Sequence, residues 1–285
     1  MKILKTIFLL LVISISTSWA QNPTFKITPD APAPGDDVML HFDASQGALS
    51  GVDEVSARVY SFCDYAWYAE DIELESKEKD QWTAQYHIKP ETAFIACVFV
   101  SDTLIDNGKE VAHGWIIQKM PGAYTAWGIS RSGAFKDEVP EIIEDQYRID
   151  DAVALMWINN ELRDFPQARE HVFYYGLKLM TLVKDGDHPA RIKKEVKHVL
   201  SSELDNKQQY DIQRTLKLLP QDDEKIFIDS VSEVLVKKYP QGVLARDNEI
   251  LRISKAPDKK KVTEKDIKSL LKISLKKHLK MYIQM

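Results

Sequence analysis

The chain is poor in cysteine. Of its 285 residues only Cys63 and Cys97 carry a thiol, and they form no C-x-x-C, which excludes the simplest redox motif. The seven histidines, His41, His87, His113, His171, His188, His198 and His278, make no H-x-x-x-H or C-x-x-H spacing, so no zinc site is legible. Asp102, Asp106, Asn107, Gly108 and Glu110 crowd oxygen ligands into one turn without the spacing of an EF-hand loop. Ser130-Arg131-Ser132-Gly133 puts a serine near a glycine but is not G-x-S-x-G. No catalytic, metal-binding or cofactor-binding set emerges, and no cofactor is expected. Beyond the first 20 residues no apolar run reaches membrane-spanning length. A net charge of −5 gives no overall preference for nucleic acid.

What is present begins with a leader. Lys2 and Lys5, an apolar core from Ile7 to Ile15 and Ser18-Trp19-Ala20 follow the charged, apolar, small-residue order of a secretory signal peptide over 1–20. No cysteine follows Ala20, so a lipid-anchored form is not supported; an uncleaved anchor is the alternative. Export to the periplasm or outside places Cys63 and Cys97 in a disulfide-permissive compartment. They lie 34 positions apart in predicted strands, and one bridge or two buried free thiols are both open.

Seven strands are predicted over 24–120. Phe25 to Thr28 comes first, and Val38, Leu40 and Phe42 then alternate with Met39 and His41, the period of a strand with one buried face. Val55 to Cys63, Trp67 to Leu74 and Gln81 to Ile88 follow. Phe94 to Val100 and Trp115 to Gln118 close the set as a hairpin, with the turn expected at Asp106-Asn107-Gly108 because Asn-Gly favours tight turns. Short strands at this spacing predict an immunoglobulin-like β-sandwich. Its aromatics include a candidate binding face, Tyr65, Trp67 and Trp82, of the sugar-binding kind, with burial in the core as the alternative.

Residues 121–139 read as a linker, since Gly122 to Gly133 holds three glycines and no periodicity. From Pro140 the period changes to about 3.6; one helix is predicted from Pro140 to Arg163 and further helices to 253. Phe165-Pro166-Gln167 and Tyr239-Pro240-Gln241 repeat an aromatic-Pro-Gln step 74 residues apart, which favours stacked helical hairpins of tetratricopeptide type. The tail, 254–285, differs in kind. From Lys255 onward ten lysines face Asp258, Glu264 and Asp266, a net of +7 that leaves −12 for the rest. Ile267, Leu270, Leu271, Leu275 and Leu279 give it one apolar face; a solvated packing helix, a membrane-surface helix and a truncation scar are the alternatives.

The succession Ile27-Thr28-Pro29-Asp30-Ala31-Pro32-Ala33-Pro34-Gly35-Asp36, Val59-Tyr60 with Trp67, Trp82-Thr83-Ala84, Asp106-Asn107-Gly108 and Tyr239-Pro240-Gln241-Gly242 resembles the N-terminal region of exported thioredoxin-like proteins of Bacteroidetes. In that family a sandwich and a helical segment precede a thioredoxin-fold thiol:disulfide oxidoreductase domain carrying a C-x-x-C. The resemblance covers about residues 24 to 253, and no residue after Cys97 is a cysteine, so the redox pair has no position to occupy here. It implies a non-catalytic accessory module in envelope thiol-disulfide maintenance, with a thioredoxin-fold domain or an envelope protein as partner. A stand-alone carbohydrate- or protein-binding sandwich is the alternative.

Overall fold

A computed structural model describes residues 23–254 except 110 and 184. The predicted leader and basic tail lie outside the described residues. Among the described residues two antiparallel sheets are followed by seven helices, and the chain divides into two compact units at the Pro166–Gln167 junction. No helix among the described residues is long and apolar enough to cross a membrane.

In the first unit one sheet has the order β1 (Phe25–Thr28), β2 (Asp37–Asp43), β6 (Gln81–His87), β5 (Glu75–Glu78). The other runs β4 (Ala66–Glu73), β3 (Ser56–Cys63), β7 (Thr92–Ser101), β8 (Leu104–Asp106), with β9 (His113–Ile116) also paired to β7. Their shared core takes Leu40, Phe42, Trp82 and Tyr86 from the first sheet and Val59, Ile95, Cys97 and Phe99 from the second. The rings of Phe42 and Phe99 stack at 3.8 Å.

Strand β7 is buried at eight consecutive positions from Thr92, because its even-numbered side chains are covered as well. Phe94 meets Trp67 and, from helix α1 (Ala123–Arg131), Trp127, at ring separations of 6.0 and 5.9 Å. A strand enclosed on both faces has no polar alternation to display, which accounts for its unbroken apolar sequence.

Helix α1 occupies nine residues of the stretch read as a linker. The glycines that suggested flexibility have a packing role. A Cβ on Gly128 would come within 2.9 Å of Trp157 Cβ, so glycine lets α1 lie close against α2 (Asp151–Asp164). The expected single helix from Pro140 starts only at Asp151, where Asp150 caps it through the Ala152 amide. The hairpin turn also differs. β7 reverses at Asp102-Thr103, with Asp102 at φ 54°, and Asn107-Gly108 instead opens a six-residue excursion between β8 and β9, since Asp106 pairs with Phe99 and His113 with Cys97.

In the second unit α3 (Arg169–Val183) packs against α4 (His188–Leu200) and α5 (Asn206–Leu216). Helix α7 (Val243–Ser254) packs against α5 and α6 (Lys225–Lys238). The repeated aromatic-Pro-Gln step marks two matching helix stops. Phe165 ends α2 at φ −133°, ψ 74°, and Tyr239 ends α6 at φ −127°, ψ 73°, each amide reaching back four residues. The following proline disfavours helical torsions at both positions.

Candidate functional site

The sequence-derived candidates do not converge. Tyr65 and Trp82 are buried and Trp67 is half-buried. Trp82 belongs to the core between the sheets, whereas Tyr65 and Trp67 pack on Phe62, 6.2 and 4.9 Å between ring centres, beneath α1. The expected binding face is thus split between two interiors, and it offers no open platform for a sugar ring.

Cys63 and Cys97 are both free and buried. Cys63 aligns with Thr92 on β7 and Cys97 with Val59 on β3, which separates them by roughly 16 Å along the strand at about 3.3 Å per residue. That is beyond the reach of a disulfide. Complete burial pushes the Cys97 thiol well above its ordinary range, so the nucleophilic thiolate is suppressed.

Two buried polar groups in the first unit have structural partners. Glu161 of α2 accepts hydrogen bonds from the Gly122 and Thr125 amides, at 2.7 and 3.1 Å, and from the Tyr65 hydroxyl at 3.2 Å. It thereby caps α1, whose own N-cap, Gly122, has no side chain to do so. Burial and then the charge of Glu161 raise the Tyr65 phenol far above its usual range, so it stays a donor. His113, fully enclosed among Phe25, Phe42 and Phe99, places Nε2 2.9 Å from Asp106 Oδ1. Burial alone would raise Asp106, but the hydrogen bonds from His113 and the Gly108 amide outweigh it and hold the carboxyl below its ordinary value. This pair ties the two ends of the β8–β9 excursion together. The acidic turn contributes to no cluster able to hold a metal ion among the described residues.

Ser130 and Ser132 are likewise engaged. Ser130 donates to the Trp127 carbonyl, and Ser132 donates to Asp151 Oδ1 at 2.7 Å while accepting from the Ala134 amide. Neither hydroxyl is hydrogen-bonded to a histidine that could act as its base.

The second unit holds a buried charge cluster and an open groove. On α5, Asp211 is fully buried, accepts from Lys207 Nζ at 2.9 Å and pairs with Arg214; Arg214 lies 3.8 Å over the Tyr174 ring of α3. Burial disfavours the charge on Lys207, but Tyr175 and Asp211 outweigh it and raise the amine above its normal value. This cluster fastens α5 to α3.

The groove, of about 900 Å³, runs between α4 and α6. Its α6 wall is a stripe at helical spacing, apolar at Ile226, Phe227, Val231 and Val234 and interrupted by Ser230; Ile226 is 88% exposed and Val234 45%. Its α4 wall carries Lys193, Lys194 and Lys197. Lys193 is held by Glu224 at 2.7 Å, while Lys194 and Lys197 are exposed. Exposure of a helix's apolar stripe together with a neighbouring concavity marks a surface suited to binding. Sequence pattern shows the stripe on α6 but not which of its residues the fold leaves uncovered. Compared with known proteins, the chain matches no family model, no curated protein and no solved structure.

Proposed function

We propose that this chain is an exported, non-catalytic module that binds a protein partner through the α4–α6 groove. The observation that carries the reading is the exposed apolar stripe of Ile226 and Val234 beside two exposed lysines. An immunoglobulin-like arrangement of the first unit is supported by the strand order β1-β2-β6-β5 against β4-β3-β7-β8, an antiparallel sandwich with the connections of that class. Contacts of α5 with both α3 and α7 support stacked helical hairpins of tetratricopeptide type.

A place in envelope thiol-disulfide maintenance, with a thioredoxin-fold domain or an envelope protein as partner, rests on the family resemblance. Oxidoreductase chemistry requires an accessible thiolate and a second thiol to resolve the mixed disulfide. Neither Cys63 nor Cys97 meets that requirement. The test measures capture of a thioredoxin-fold domain by the purified chain and by its Ile226→Asp variant, alongside insulin reduction. Capture lost in the variant, with no sustained insulin reduction, is expected. Equal capture by both proteins would remove the groove from the reading, and sustained insulin reduction would remove its non-catalytic part.

A further inference from the structure

We infer that the α4–α6 groove takes one amphipathic helix of a partner protein, apolar on the side facing α6 and carboxylate-rich on the side facing α4. The inference rests on the reading of the helical unit as a partner-binding surface and names the chemistry of the partner.

Spacing sets the length of the site. Ile226 and Val234 lie eight residues apart with the small Ser230 midway, about 12 Å of helix edge at 1.5 Å rise per residue. That length suits a helix whose anchors recur every three or four residues. Val231 is buried at the floor, and Phe227 lies beside it with Lys197 Nζ 5.9 Å above its ring. The groove therefore has an apolar base and a lysine-bearing edge on α4.

Charge then selects the occupant. Lys194 and Lys197 lie three apart on α4, a spacing that brings both ammonium groups to one side of a docked helix. Glu224 already neutralises Lys193, so these two remain to meet carboxylates. The chain's own tail would bring ten further lysines against them. That arrangement juxtaposes like charges, which opposes binding. Asp223 lines the groove where α6 begins and favours a partner helix free of carboxylates at that end, which orients it.

The test uses the full chain carrying Ser230→Cys labelled with an environment-sensitive dye, since both native thiols are buried. The probes are two synthetic amphipathic helices about four turns long, identical in their leucines, one flanked by glutamate and the other by lysine. The expected result is a dye response with at least about tenfold tighter binding of the glutamate peptide at low salt, weakening as salt screens the pair. Ile226→Asp should abolish it, and Lys194→Glu with Lys197→Glu should reverse the peptide preference. Ile226 and both lysines are exposed, so the variants are expected to fold.

Equal or tighter binding of the lysine peptide overturns the acidic assignment. So does a dye signal that rises with protein concentration alone, which indicates a second copy, or one that changes on deleting residues 255–285, which indicates the tail. If neither peptide moves the dye while partner capture still requires Ile226, the inference fails and the binding-module reading stands. If capture also ignores Ile226, both fail.

Discussion

The two units treat their apolar residues in opposite ways. In the sandwich unit β7 is enclosed on both faces, and Phe94 is fully buried on the side that a lone sheet would leave open. In the helical unit α6 buries Val231 and Leu235 but leaves Ile226 and Val234 in solvent. The first unit completes its own core, whereas the second presents a surface that something else can complete. All six tryptophans precede residue 158, so tryptophan emission follows the sandwich unit alone and far-ultraviolet dichroism near the helix minimum follows chiefly the helical one.

The contrast breaks most readily at Phe94. Phe94→Ala should cost about 3–5 kcal/mol, read as a lower urea midpoint in tryptophan emission. A smaller loss would mean that α1 collapses into the space.

Glu161→Ala comes next. It strips the acceptor from two amides and a hydroxyl in a site without water access, for a loss of about 3 kcal/mol by the same measurement. Tyr65→Phe removes only one donor to that carboxylate and should cost about 1 kcal/mol.

Asp106 sharpens the comparison through pH. Its carboxyl is held below the ordinary range in the folded chain, so its contribution is complete above the unfolded carboxylate pKa of about 4 and is lost as pH falls through the lower folded value. Asp106→Asn should flatten the decline of the urea midpoint below that pH. An unchanged acid limb would show that Asp106 does not govern it.

The smallest effect is expected at the groove. Ile226→Ser should change the stability of the helical unit by no more than about 0.5 kcal/mol, read from the dichroism transition, because the side chain is already in water. A large loss would mean that Ile226 is buried in solution.

Much of the β-then-α order was legible in the sequence, because β2 alternates and the helices carry a 3.6 period. Two strands were not. Glu75–Glu78 is exposed throughout, and Leu104–Asp106 is three residues long, so neither displays a buried face. The Asn-Gly dipeptide misled for a physical reason: it satisfies a turn wherever one is needed, and here the register put the hairpin five positions earlier, at Asp102-Thr103. Helix α1 was hidden by Gly122 and Gly128, although Ala123, Ala126, Trp127 and Ser130 carry helical spacing. The aromatic face failed because alternation assigns residues to sides of a sheet without telling whether a further layer covers that side. The groove depends on the reverse question, which residues stay uncovered, and only packing answers it.

The cap that Glu161 supplies lies 39 residues downstream of the Gly122 amide it serves. As the chain leaves the ribosome, α1 therefore has no stop at its start until α2 has been made and has docked. Until then the side of the second sheet bearing Phe62 and Phe94 is open and adhesive. The smallest fragment that folds by itself should accordingly extend through Asp164; one cut after the last strand should aggregate, although every strand of the sandwich is present. The covering of that sheet by α1 and its cap from α2, rather than the outline of the sheets, sets the end of this unit.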